Sequence, residues 1–202
     1  MRVIASVLNV RSGPGTEFRV LDKLPNGAVV DLKELHGDWA WVEPAEGWVS
    51  RAYLENLPTR LVVPAGLAGI RQTFGEPGSA AASSGRVTFP APLKVGWLSA
   101  SVTRAACHAL MEGVFTEVFE AIHAAGLWSS LKTYDGIYND RVTTGGTKKS
   151  THAWGIAVDL NASTNRFGTR GDMDPRVIRI FESHGFTHLK RDPMHFQYAS
   201  GY

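Results

Sequence analysis

The chain has 202 residues, 44% apolar and 20% charged, with 21 Lys and Arg against 19 Asp and Glu and a formal net charge of +2. These proportions are those of folded globular proteins and exclude disordered, collagen-like and fibrous classes. No basic run is longer than a pair such as Lys148-Lys149, and no run approaches the roughly 20 apolar residues that cross a bilayer, so neither nucleic acid nor membrane insertion is expected.

Met1 to Val10 lead straight into a strand-like pattern, so no signal peptide is expected and synthesis is assigned to the cytoplasm. From Val3 to Leu54 short apolar alternations are broken by turn signals at Arg11–Gly15, Pro25–Gly27, His36–Asp38 and Glu46-Gly47. Five or six short strands fit, with Phe18–Leu21, Val29–Leu32, Trp39–Val42 and Gly47–Val49 as candidates. A module this small closes best as a barrel, in which Trp39, Trp41 and Trp48 either fill a tiny core or serve binding. The order Leu8–Gly15, Leu24–Gly27, Gly37-Asp38-Trp39 and Gly47–Ser50 resembles a bacterial SH3 domain over residues 1–56. That resemblance implies an all-β SH3-like barrel that binds cell-wall peptide.

Residues 57–75 read as a linker, and the stretch from Asn56 to about Ser101 as irregular, with five prolines and the small-residue tract Gly78–Gly85. Within 76–202, the apolar recurrence of Leu110, Val114, Val118 and Ile122 predicts a helix from Ser101, as its cap, to Gly126. Cys107 then lies in a helical run as inert core. A second helix is signed by Asp174 as cap, Pro175 at its first position and Gly185 after its end. Gly155–Leu160 and Met194–Tyr198 are strand-like, so the second domain is α+β.

The informative stretch is Ser150–Asn161, paired with Asp192-Pro193-Met194-His195. His152, His195 and Asp159 are ligand types that zinc (Zn2+) accepts, and three protein ligands leave a fourth position open, as a catalytic site requires. Bound zinc brings water within reach of ionisation at neutral pH. Asp192, three residues before His195, is the candidate proton shuttle. His152 and Asp159 are seven apart and would point to opposite faces of an unbroken strand, so a break is needed, and Gly155 supplies it. His184 and His188 also have ligand-like spacing, but Gly185 interrupts the helix that would align them.

These residues resemble the zinc D-alanyl-D-alanine carboxypeptidases and L-alanyl-D-glutamate endopeptidases, whose signature SxHxxGxAxD followed by an acid, two residues and His is complete here. The likeness runs from about Gly66 to Tyr198 and includes Arg104–His108, read as helix, and Tyr138–Arg141. It implies the α+β fold of the hedgehog/D-Ala-D-Ala-peptidase type, with His152, Asp159 and His195 as metal ligands, Asp192 as acid/base, and Arg141 facing a substrate carboxylate or oxyanion. Tyr138, Ser150 and Trp154 are candidate substrate contacts. Members often carry a Trp- and Gly-rich loop before the strand of the acid, whereas only Thr187–Arg191 stands here, which leaves that wall of the pocket undefined.

The expectation is a zinc-dependent peptidase, monomeric, that hydrolyses an amide bond in peptidoglycan stem peptide or cross-bridge, with the barrel tethering it to the wall. Two wall-directed modules without a signal peptide suggest a phage or prophage endolysin, acting in the periplasm or outside the cell. The alternative is a zinc-containing wall-binding protein without hydrolysis.

Overall fold

The computed structural model describes residues 1–55, 61–143 and 145–202. The chain divides into two compact units, Met1–Arg60 and Leu61–Tyr202, and each has its own apolar core.

In the first unit β2 (Val7–Arg11), β3 (Val20–Pro25), β4 (Asp31–His36), β5 (Trp39–Glu43) and β6 (Gly47–Ser50) form an antiparallel sheet of order β3-β2-β6-β5-β4. β1 (Arg2–Val3) pairs with β7 (Leu54–Glu55) beside it. The two-residue period of a strand decides which side chains go inside. In β5, Ala40 and Val42 turn inward to meet Val10, Val49 and Leu8, while Trp39 and Trp41 turn outward. The core is therefore aliphatic, and the tryptophans do not fill it. Trp41 instead meets Trp48 edge to face across the β5–β6 pair, centroids 5.8 Å apart. The strand expected at Phe18 begins two residues later, because Gly13 gives its missing side-chain space to the Phe18 ring and keeps that residue in the loop.

Residues 61–75, assigned to a linker by the sequence, belong instead to the second unit: helix α1 (Gly66–Phe74) buries Ile70 and Phe74 in its core. The remaining linker positions, 57–60, lie outside the described residues. The segment expected to be irregular continues into β8 (Gly85–Lys94), which pairs with β9 (Ser101–Cys107) as a hairpin. Pro90 and Pro92 are tolerated because the register shifts between Thr88 and Leu93, where no regular ladder needs their missing donors.

β9 also corrects the helix expected from Ser101. The helical period belongs only to α2 (Glu112–Ala124), and residues 101–107 become a strand because pairing with β8 buries Ala105 and Cys107. Arg104–His108 is thus the strand and its exit, not a helix. Cys107 remains inert as expected, its thiol pushed up to about 11 by burial. α3 (Pro175–Ser183) starts as predicted, with Asp174 accepting from the Arg176 amide at 2.8 Å and Pro175 at the first position.

The remaining strands, β10 (Tyr134–Gly136), β11 (Ala157–Leu160), β12 (Thr187–Leu189) and β13 (Asp192–Gln197), form an antiparallel sheet of order β10-β11-β13-β12. Its core is strongly aromatic: Phe181 stacks on Phe196 at 4.2 Å, and Phe115, Phe119, Phe186 and Tyr198 complete the cluster under α2 and α3. Burial of so much ring area is the main stabilising term of this unit. Among the described residues no helix is long and apolar enough to cross a membrane.

Candidate metal centre

Asp159 lies directly opposite His195 in the β11–β13 pair. Cross-strand partners share a face, so the register alone brings this carboxylate and imidazole together, with His195 Nδ1 2.9 Å from Asp159 Oδ1. His152 arrives from outside the sheet. It sits in a 3-10 turn, Thr151–Trp154, which Gly155 ends in a left-handed conformation (φ 66°) before β11 begins. A Cβ at Gly155 would collide with the Ala82 carbonyl oxygen and stand 2.6 Å from the His108 amide nitrogen. Only glycine fits both the angle and the space.

The result is a tripod in which His152 Nε2 is 3.1 Å from Asp159 Oδ2 and 3.2 Å from His195 Nδ1. One ligand atom from each of the three residues lies within 4.8 Å of the others, and all three side chains are buried. The outer nitrogen of each imidazole has its own acceptor. His152 Nδ1 donates to the Ile137 carbonyl at 2.7 Å, and His195 Nε2 faces Gln197 Oε1 at 3.3 Å and Thr151 Oγ1 at 3.1 Å. These bonds commit the unprotonated nitrogens, His152 Nε2 and His195 Nδ1, to face one another and Asp159. Lone pairs converging in that way repel unless a cation lies between them, and two imidazoles with a carboxylate form a donor set suited to zinc.

Electrostatics separate the two carboxylates. Burial pushes Asp159 up, but its close contact with the His152 and His195 imidazoles outweighs it and holds the group well below the usual carboxylate range. Asp192 moves the other way, raised by burial despite the nearby His195 charge. Its Oδ1 is buried and has no hydrogen-bond partner among the described residues. A regular strand would turn Asp192 and His195, three residues apart, to opposite faces. The β12–β13 register jumps instead, from His188 opposite Phe196 to Leu189 opposite Asp192, so residues 193–195 bulge and both side chains line one recess.

Arg141 extends Nη2 to 4.0 Å from Asp159 Oδ2 and donates from Nη1 to the Val142 carbonyl at 3.2 Å. It borders two recesses that flank the tripod. The larger, about 440 Å³, is bordered by Asp192, His195 and Ser150; the smaller, about 240 Å³, by His152, Asp159 and Tyr138. Ser150 also accepts from the His152 amide at 3.4 Å, so it caps the turn that carries His152. Trp154, expected to contact substrate, lies instead in the core, its indole nitrogen donating to the Gly75 carbonyl at 2.8 Å, and borders neither recess. His184 and His188 stay out of the tripod. His184 bonds the Ile180 carbonyl at the end of α3, and His188 stacks on Phe196 while bonding the Pro193 carbonyl.

Sequence reasoning missed Gln197, Thr151 and the Ile137 carbonyl. Gln197 was within its reach, because position i+2 on the His195 strand shares its face; the other two depend on how distant segments meet. The wall left undefined by the short 187–191 stretch is built by that hairpin itself, through His188, Leu189, Lys190 and Arg191.

No curated protein and no solved structure matches the chain. Two families match segments of it. Residues 6–55 match the bacterial SH3 domain, and residues 144–198, which contain His152, Asp159, Asp192 and His195 but neither Tyr138 nor Arg141, match the D-alanyl-D-alanine carboxypeptidase family. Along the chain, a segment similar to the bacterial SH3 domain is thus followed by one similar to the D-alanyl-D-alanine carboxypeptidase family.

Proposed function

We propose that the protein is a zinc-dependent peptidase that hydrolyses an amide bond in the peptide part of peptidoglycan, of the L-alanyl-D-glutamate or D-alanyl-D-alanine kind, with the SH3 domain holding it on the wall. The observation that carries this reading is the convergence of His152 Nε2, His195 Nδ1 and Asp159 in a buried tripod whose outer nitrogens are already committed to protein acceptors.

His152, Asp159 and His195 would hold zinc, which would supply a Lewis acid and make water easier to ionise at neutral pH. The chain's own groups do the rest. Asp192, with a buried and unpartnered Oδ1 at the recess shared with His195, accepts the proton of the attacking water. Its raised affinity for protons suits it to deliver that proton to the leaving nitrogen. The water oxygen bonds to the acyl carbon as the C–N bond breaks, giving a carboxylate and an amine. Arg141, fixed by the Val142 carbonyl, presents its remaining N–H groups toward the charge that develops on the acyl oxygen.

A wall-binding and a wall-cutting module on one chain suit a lysis enzyme of the phage or prophage kind, where tethering keeps the enzyme at an insoluble substrate. The test is to incubate the zinc-loaded protein with purified peptidoglycan and identify released peptides by mass spectrometry, with a chelated sample beside it. Zinc-dependent release of new amino and carboxyl ends is expected. Zinc bound at one ion per chain without any release would instead favour a wall-binding protein that does not hydrolyse.

A further inference from the structure

The backbone on either side of Asp192 is held from outside its own sheet. Pairing of β13 with β11 stops at His195, and pairing with β12 passes from Phe196 to Asp192, so Pro193 and Met194 have no partner residue in either ladder. Buried peptide groups left out of a ladder must find donors and acceptors elsewhere. Here the Met194 amide donates to the Asn165 carbonyl at 3.2 Å, the Pro193 carbonyl meets His188 Nε2 at 2.9 Å, and the Arg191 carbonyl accepts from the Gly168 amide at 2.6 Å. Asn165 and Gly168 both belong to the loop between β11 and α3. Gly171 of the same loop (φ 69°) lies so close to the Pro193 ring that a Cβ there would stand 2.7 Å from it. The loop therefore grips the chain immediately before and immediately after Asp192.

Its shape rests on Asn165, which is fully buried. The side-chain oxygen accepts from the Asp172 and Met173 amides at 2.9 and 3.0 Å, and the side-chain nitrogen donates to Asp172 Oδ1 at 2.8 Å and to the Asn161 carbonyl at 3.1 Å. These bonds close residues 165–172 on themselves and tie them to Asn161, which directly follows β11, the strand of Asp159. Asn161 is itself fixed, its side chain accepting from the Lys132 and Thr133 amides and donating to the Ser130 carbonyl at 2.8 Å. An asparagine supplies donors and an acceptor at one buried point, which the isosteric Asp and Leu cannot do. We infer that Asn165 is a positioning residue: it fixes the loop that sets Asp192 relative to Asp159 and His195, and it acts on the reaction only through the Asp192 carboxyl. This rests on the peptidase reading above and adds to it a residue that borders neither recess. A displacement of about 1 Å at a reacting group can cost roughly 100-fold in rate.

The test uses the full zinc-loaded chain and a defined soluble muropeptide. In Asn165→Ala kcat should fall about 100-fold, with KM and zinc affinity within roughly twofold of the parent. That variant leaves two buried amides without their acceptor and can cost the fold, so Asp172→Ala, at a half-exposed side chain, is the second, with kcat falling about tenfold. Hydrogen exchange at the Met194 amide should quicken about 100-fold in the first variant and about tenfold in the second, while the Tyr198 amide, bonded to the Ile156 carbonyl at 2.9 Å, keeps its rate. In an Asp192→Ala background either substitution should change the residual rate less than about twofold, because the two residues act as one unit. A merely structural role would lower the rate by the same factor in both backgrounds, raise KM or release zinc, and that result overturns the assignment. Unchanged kcat or unchanged Met194 exchange beside an active parent overturns it as well, and leaves the peptidase reading standing. Absence of zinc-dependent cleavage by the parent overturns that reading and the role of Asn165 with it.

Discussion

Gly155→Ala tests the link between one backbone conformation and the whole candidate metal centre. The residue holds φ 66°, where an L-alanine costs roughly 1–2 kcal/mol. Its new Cβ would also meet the Ala82 carbonyl oxygen and approach the His108 amide nitrogen to 2.6 Å, and both are backbone atoms that cannot rotate away. The required shift loosens the bond from the His108 amide to the Gly155 carbonyl, 3.0 Å long, and adds about 1–3 kcal/mol of overpacking. The expected total is therefore about 2–5 kcal/mol, a large part of the roughly 5–15 kcal/mol that holds a domain. Gly126→Ala is the control. It has a similar φ of 69° after α2 but nothing within 4 Å of its Cβ position, so only the same conformational cost of roughly 1–2 kcal/mol remains. Urea unfolding followed by hydrogen exchange in β11 and β13 reports on the second unit, and zinc titration reports whether His152 keeps its place. A loss for Gly155→Ala no greater than for Gly126→Ala would refute the packing argument.

Replacing Asp192 by Ala should lower turnover by about 10²–10⁴ while zinc remains bound at one ion per chain, measured by elemental analysis; unchanged turnover would remove it from the reaction. Because burial raises the folded Asp192 carboxyl above its unfolded value, its ionisation weakens the metal-free fold as pH rises through the unfolded range. Asp192→Asn should accordingly stabilise the metal-free protein at pH 7, with the gain shrinking toward acid pH in thermal melts; a gain of equal size at both ends would contradict burial as the cause. Gln197→Leu removes the acceptor at 3.3 Å that fixes the His195 ring and should weaken zinc binding about 10- to 100-fold, with partial recovery in Gln197→Glu; affinity equal to the parent would show that Thr151 alone orients the ring. Removing residues 1–60, whose core is separate, should reduce binding to whole wall about 100-fold or more while leaving cleavage of a soluble muropeptide nearly intact, and equal loss of both would contradict tethering.

The sites of misreading share a cause. In residues 101–107 the β-branched Val102 and Thr103 favour a strand and Ala105 and Ala106 a helix, so the helical period of α2 could be extended through them on paper. Pairing with β8 decided otherwise. The linker reading failed at Ile70 and Phe74 for the same reason, since a short helix among prolines looks like a loop until the core that buries it is known. Trp154 shows the converse error. Its neighbours belong to the metal centre, but its own direction is set by the Gly75 carbonyl far away in sequence.

From the order of residues alone came the short antiparallel strands of the first unit with their turns, the capped α3, and the need for a break between His152 and Asp159. These follow from short-range rules: alternation, capping and the freedom of glycine. Tertiary structure alone decided that Asp159 stands opposite His195, that a bulge after Asp192 turns the acid to the same side, and that Gln197 and Ile137 select which nitrogens face inward. Register, bulges and long-range hydrogen bonds depend on which strands become neighbours, and that is a property of the packed core that no local stretch of sequence contains.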